Sequence, residues 1–377
     1  MAQGENEFIF RIKYFLMSKK KKVAILYGGR SVEHAVSVNS ARNIYEYLDK
    51  NQFEPIPMGI NKSGQWFLTN GVSKDMEQGK ALGLMLDPVS PGFVLLSSGD
   101  RFKVDIVFPV LHGTDGEDGS IQGLIKAMDM PMVGTGVLGS ALSMNKIVAK
   151  RLMRQAGLPV TDFLTFRYAE KDKITFTSIS KKLGTPFMVK SASLGSSVGV
   201  TKVKNKEDFK KAVEEAFKYD DEMLAEEFVT GREIECAILG NTPGEASYPG
   251  EIVISKNYEF YTFDAKYVDP KAVEIHVPAK LSKAVAEKIR AVSIRAYEAL
   301  HCQDFSRIDL FLDKKGKVYI NEINTIPGFT NSSMYPMMWK ERGISFSDLI
   351  TRLLNLAQER YNRGKRIERD FQSALKF

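Results

Sequence analysis

The sequence predicts an α/β protein of several domains, a doubly wound parallel-sheet unit followed by two α+β units. Three observations lead there. Residues 23–27 form a short apolar run that enters a glycine-rich loop and then a helical pattern, and the same order returns after residues 104–110. A Gly/Ser-rich turn at 191–200 sits between two apolar runs. Near the end, residues 306–324 alternate apolar and polar side chains around a Lys-Lys-Gly-Lys turn, the pattern of a β-hairpin. At 377 residues the chain exceeds one typical domain.

The first strand, VAILY, is followed by Gly28-Gly29-Arg30-Ser31-Val32-Glu33-His34 and a helix with Val38, Ala41, Ile44, Tyr45 and Leu48 in register. The loop is not G-x-G-x-x-G, so it does not imply a dinucleotide. Ligands of doubly wound sheets sit beyond the carboxyl ends of the strands. That rule places Glu33 and His34 at a candidate site. Strands follow at 53–60 and 104–110, and the second ends in an acidic, glycine-rich loop that carries His112, with a helix starting at Ser120. Residues 70–100 show no clear period and are expected to be irregular. A helix over 140–156 is expected to bury Leu142, Ile147, Leu152 and Met153, with Gly157 as cap and Pro159 as stop.

In the next unit, the turn at 191–200 exposes backbone N–H groups between two strands, an arrangement suited to gripping phosphate. A helix over 206–219 turns Phe209, Val213, Ala216 and Phe217 inward. Strands at 222–229 and 233–239 follow, then a Tyr/Phe-rich loop at 258–267, a helix at 282–301 and a closing helix at 345–360. On the hairpin, Arg307 and Asp309 share one face of the first strand, and Glu322 and Asn324 share one face of the second. Antiparallel pairing brings two carboxylates, an amide and a guanidinium together. A few carboxylate oxygens completed by water and phosphate are what Mg²⁺ favours. Without a cation, such a pair on a half-buried face is costly.

The expected partition is an extension at 1–22, expected to be mobile, units at 23–138, 139–230 and 231–360, and a charged tail at 361–377. Within the first span, residues 1–17 read as an extension ahead of a start at Met17. Apolar content of 44% and charge of 26% are those of a soluble globular protein. The net charge is +7, but much of the basic excess lies in KKKK at 19–22 and RGKRIER at 363–369. The aromatics lie in apolar strands and one loop rather than among basic side chains, which argues against nucleic acid. Cys236 and Cys302 stand alone in apolar contexts and read as reduced core residues. With four His and no C-x-x-C, a zinc site is not expected. No apolar run is long enough to span a bilayer.

Taken together, the segments GGRSVEHAVS, LHGTDGEDGSIQG, SALSMNK, PFMVKSASLGSSVG, LAEEFVTGREI, FDAKY, RIDLFLD and NEINTIPGFTNSS resemble the D-alanine–D-alanine ligase family, a branch of the ATP-grasp superfamily. The resemblance covers residues 23–357. It implies three consecutive domains with ATP held between the sheets of the last two, and two Mg²⁺ (or Mn²⁺) as cofactors. The implied reaction joins two D-alanines through a D-alanyl phosphate, for peptidoglycan precursor synthesis in the cytoplasm. It also implies a homodimer, with no membrane or nucleic-acid partner.

By the same resemblance, Asp309, Glu322 and Asn324 hold the metals, and Lys146, Lys190 and the loop residue Lys266 hold phosphate. Arg307 and the Gly328 N–H stabilise developing negative charge. Glu33 holds the ammonium of the first D-alanine, and His112 lies near its carboxylate. Ser196 and Tyr267 link to Glu33 to close the loops, and Ser333 meets the second D-alanine. Glu226, Phe228, Glu233 and Phe260 match the adenine and ribose pocket. One departure is Ala35, where the family often carries a second acid. Tyr267 is kept, whereas ester-forming relatives that use D-lactate commonly have Phe there. The alternatives are that ester-forming activity, another ATP-grasp ligase, and a non-enzymatic nucleotide- or nucleic-acid-binding protein; the last leaves Arg307, Asp309, Glu322 and Asn324 without a task.

Overall fold

The computed structural model describes residues 20–255, 269 and 271–370. The expectations for Phe260, Lys266 and Tyr267 therefore lie outside the described residues, as do those for residues 1–19 and 371–377.

The chain opens with β1 (Lys21–Gly28), α1 (His34–Tyr47), β2 (Phe53–Ile60), β3 (Trp66–Leu68), β4 (Lys80–Met85), β5 (Gly92–Leu95), β6 (Arg101–Phe102), β7 (Ile106–Pro109) and α2 (Ser120–Ala127). β1 begins two residues inside the span assigned to the N-terminal extension. Its residues from Val23 onward are buried, as a strand covered on both faces requires. The sheet order is β6-β5-β4-β3-β2-β1-β7. β1 pairs in parallel with both β2 and β7. The rest is antiparallel. Much of it lies in 70–100, which the sequence reading treats as irregular. These strands are short and largely half-exposed or exposed, so no apolar alternation marks them.

Next come α3 (Val137–Met144), α4 (Lys146–Gln155), β8 (Phe163–Arg167), α5 (Phe176–Leu183), β9 (Phe187–Ser191), β10 (Val200–Val203), α6 (Lys206–Ala216) and β11 (Glu222–Glu227). The single helix expected over 140–156 is two. Asn145 leaves helical geometry at φ −82°, ψ 102°, and its side chain caps α4 by accepting from Val148 N–H. Asn is favoured at this position because its oxygen satisfies a donor the helix start leaves open. The strands form an antiparallel sheet of order β10-β9-β11-β8, with α5 and α6 packed on the face of Phe187, Val189, Met223 and Ala225.

The last part contains β12 (Gly231–Leu239), β13 (Glu245–Ala246), β14 (Gly250–Ile254), β15 (Val273–His276), α7 (Lys283–Ala299), β16 (Phe305–Asp313), β17 (Val318–Asn324), α8 (Met334–Glu341) and α9 (Phe346–Gly364). The sheet runs β15-β14-β12-β16-β17, with α7 packed against Ile308, Leu310 and Leu312. Cys236 and Cys302 are buried free thiols, as expected.

A second core joins the first and last parts of the chain. Phe108 of β7 meets Phe305 and Phe329 edge-on, and Phe329 in turn meets Phe346. Beside it, Arg360 of α9 pairs with the buried Asp304 carboxylate at 2.8 Å and donates to the carbonyls of Met132 (2.7 Å) and Gly134 (2.8 Å). Asp304 also accepts from Gly134 N–H. These contacts hold the first sheet against the last one.

Candidate active site

The faces of the second and third sheets turned away from α5, α6 and α7 line a common cleft of about 420 Å³. Met188, Lys190 and Glu226 enter it from one side; Glu233, Glu235, Asp309 and Glu322 enter from the other. The hairpin places Asp309 opposite Glu322 and Arg307 opposite Asn324. Plain alternation would put Ile320 and Glu322 on the same face. A bulge shifts the register between Asp309 and Leu310, so Asn321 is an extra residue in β17. Ile320 then points into the core while Glu322 faces the cleft. The sequence carries the signal, because the apolar positions 318 and 320 are followed by 323 rather than 322. The freed Asn321 reaches the opposite sheet and accepts from Lys190 Nζ at 3.0 Å.

Arg307 clamps Asp309 with two hydrogen bonds of 2.7 Å, and Asn324 donates to Asp309 at 3.0 Å. Arg307 also lies 3.0 Å from the buried carboxylate of Glu235, which stands opposite Asp309 on β12. Among the described residues, no group of three or more His, Cys, Asp or Glu forms a metal site by itself. Asp309, Glu322 and the Asn324 amide are hard oxygen donors with coordination positions left for phosphate and water, which fits Mg²⁺ carried in with a nucleotide.

Two lysines face these groups. Lys146 opens α4, lies 3.5 Å from Glu322 and donates to the Leu194 carbonyl. Lys190 pairs with Glu226. A third lysine, Lys150, pairs with the other oxygen of Glu226 at 3.0 Å and donates to Thr161 at 2.9 Å. Burial by itself raises the Glu226 pKa, but Lys150 and Lys190 outweigh it and bring it down to about 2. Phe228 lines the cleft with Lys202 stacked 4.0 Å over its ring.

The Gly/Ser turn closes toward the first sheet. Ser196 adopts a left-handed conformation at φ 53° and donates its hydroxyl to the buried Glu33 carboxylate. Glycines make room for that carboxylate. A Cβ on Gly113, itself at φ +76°, would come 2.5 Å from Glu33 Oε2, and one on Gly195 would come 2.9 Å from it. Ala35 is exposed on α1. His34 instead pins its own loop, donating through Nδ1 to the Gly29 carbonyl at 2.7 Å.

His112 lies beside Glu33 and is fully engaged. Its Nδ1 donates to the Ile326 carbonyl at 2.9 Å, and its Nε2 accepts from Ser40 at 3.0 Å. Ser40 accepts in turn from Phe329 N–H at 3.2 Å. Burial lowers the pKa of His112, which stays a neutral imidazole. Glu117 accepts from Gly113 N–H at 2.7 Å and from Ile326 N–H at 3.0 Å. Burial and the Glu33 charge push its carboxyl up to about 8. Residues 325–333 thus lie over the carboxyl end of the first sheet. Within that loop, a Cβ on Gly328 would be 3.1 Å from Ser333 Oγ, and Ser333 accepts from Thr330 N–H at 3.0 Å.

The family described as D-ala D-ala ligase N-terminus matches residues 22–135, and that described as D-ala D-ala ligase C-terminus matches residues 152–355. A D-alanine--D-alanine ligase of Shouchella clausii is 45% identical over 361 residues, covering 93% of this chain and 98% of the relative. The chain belongs to the D-alanine–D-alanine ligase family. D-alanine--D-alanine ligase A of Escherichia coli K12 is 42% identical, covering 91% of this chain and 97% of that one. Two solved structures share the fold of this ligase family. The D-alanine-D-alanine ligase from Coxiella burnetii has TM-score 0.81 at 34% identity, covering 92% of this chain and 98% of its own. The VanG D-Ala:D-Ser ligase from Enterococcus faecalis has TM-score 0.82 at 35% identity, covering 90% and 100%.

The site also includes Ser40, Lys150 and Glu235, outside the family motifs, and Glu117 and Asn321, inside two of them; the sequence reading assigns none of the five a role. Two of them carry a readable signal. Lys150 sits three residues after Ile147 and three before Met153, on the apolar side of α4. Glu235 stands two residues after Glu233 on the same face of β12.

Proposed function

We propose that the chain joins two D-alanines with ATP to give D-alanyl-D-alanine, ADP and phosphate. The observation that carries this reading is the meeting of all three sheets at one place. Glu33, at the start of α1, meets Ser196 of the turn, Lys146 joins that turn to Glu322 of the hairpin, and the buried Glu117 senses the charges of both Glu33 and Glu322. The carboxylate of the first D-alanine attacks the γ-phosphorus of ATP, the bond to the bridging oxygen breaks, and ADP leaves. The amine of the second D-alanine, having lost a proton, attacks the acyl carbon. Phosphate departs from the resulting tetrahedral intermediate.

Glu33 pairs with the ammonium of the first substrate. His112, held neutral and oriented from both nitrogens, borders its carboxylate. Lys146 and Lys190, with Lys266, offset the charge of the triphosphate, which otherwise repels an incoming carboxylate. Asp309, Glu322 and Asn324 hold two Mg²⁺, which neutralise phosphate charge when bound. Arg307 and the Gly328 N–H face the developing oxyanion, where each donor is worth about 3–4 kcal/mol. Ser333 receives the carboxylate of the second substrate. Phe228 and Glu233 line the adenine and ribose end, to which the family resemblance also assigns Phe260; Glu226 borders it with a carboxylate committed to Lys150 and Lys190. Ser196 closes on Glu33, and the family resemblance assigns Tyr267 to the same link, which would exclude water from the acyl phosphate. The same reading treats residues 23–138, 139–230 and 231–360 as the working units, and the protein as a cytoplasmic homodimer.

The test is ADP release with Mg²⁺, comparing D-alanine, D-serine and D-lactate as second substrates. D-alanine should stimulate release and yield the dipeptide. Release that D-alanine does not stimulate overturns the proposal.

A further inference from the structure

Lys150 and Glu226 are each only 1% exposed as side chains. Lys150 does not line the cleft, whereas Glu226 and Lys190 do. It lies behind Glu226, on the side away from the space a nucleotide would fill. One carboxylate therefore binds two lysines, one oxygen to each. Thr161 closes the rear of the arrangement, accepting from Lys150 and donating to Glu226 at 3.2 Å. Lys190 alone of the two lysines also reaches across the cleft, to Asn321.

A carboxylate this deeply buried is stable only when paired. If Lys190 were its sole partner, any move of Lys190 toward phosphate would strand the charge. The geometry points to Lys150 as a positioning residue that keeps Glu226 neutralised from behind, so that Lys190 is free to engage the phosphates of a bound nucleotide. The inference rests on the nucleotide reading above. The direction of the Glu226 shift agrees, since both lysines contribute to lowering it.

A merely structural lysine would weaken every ligand alike; a positioning one weakens phosphate binding selectively. The experiment compares ATP and adenosine binding to the full chain by calorimetry with Mg²⁺ and no D-alanine. For Lys150→Met, ATP affinity should fall about ten- to a hundredfold, the worth of one charged hydrogen bond, with adenosine unchanged. Lys150→Arg should keep most of the ATP affinity. Lys150→Met/Glu226→Gln should recover part of the loss, because no unpaired carboxylate then competes for Lys190. Should Lys150→Met not fold, Lys150→Gln, which keeps a hydrogen bond to Thr161, carries the same comparison. An unchanged ATP affinity, or an equal loss for adenosine, overturns the role of Lys150 alone. A wild-type chain that does not bind ATP overturns the nucleotide reading itself.

Discussion

Ser40→Ala tests the link between the two ends of the chain at the amino-acid site. The hydroxyl donates to His112 at 3.0 Å and accepts from Phe329 N–H at 3.2 Å, and all three residues are buried. Removing it leaves two buried polar atoms without these partners. Each such orphan costs about 1–3 kcal/mol, so the variant should lose about 2–6 kcal/mol. The loss should appear as a lower urea midpoint. It should also raise the KM for D-alanine, because one of the two links between His112 and the loop carrying Gly328 is lost and only the Ile326 bond remains, while ATP affinity stays near wild type. The pH dependence follows from the lowered pKa of His112. The unfolded chain takes up a proton near pH 6.5 and the folded one resists it. The stability present above that pH is therefore lost as pH falls toward the folded value. A Ser40→Ala variant within about 0.5 kcal/mol of wild type, with an unchanged KM for D-alanine, refutes the reasoning.

Glu322→Gln should abolish D-alanine-dependent ADP release while leaving the melting transition intact; near-normal turnover would show the metal assignment to be wrong. Tyr267→Phe should loosen discrimination against D-lactate, measured as the ratio of ester to dipeptide formed, and an unchanged ratio rejects its role in closing the loops. Arg360→Met strands the buried Asp304 carboxylate and should cost about 3–5 kcal/mol in urea unfolding. Adding Asp304→Asn to Arg360→Met should return part of that loss.

Much of the third sheet can be read directly from the residues. Ile308, Leu310 and Leu312 alternate with Arg307, Asp309 and Phe311, and only one register puts the apolar set against α7. The phosphate turn is legible because glycine and serine interrupt two strongly apolar strands. Other parts are hidden for physical reasons. Strands β4 to β6 extend an edge and bury little, so burial leaves a weak imprint on their residues. The break at Asn145 interrupts a helical pattern that continues on both sides, and only the capping bond from Val148 reveals it. Ser40 and Glu117 act through backbone groups of residues 326 and 329, more than 200 positions away. No local pattern encodes such partners.

The bond between His112 and Ile326 has a bearing on how the protein comes into being. The walls around Glu33 are made partly by the first third of the polypeptide and partly by a segment synthesised near its end. A growing chain can complete its first sheet long before that segment leaves the ribosome, and until then the surroundings of Glu33 lack the part that the later segment supplies. Those surroundings are whole only once the two distant stretches meet.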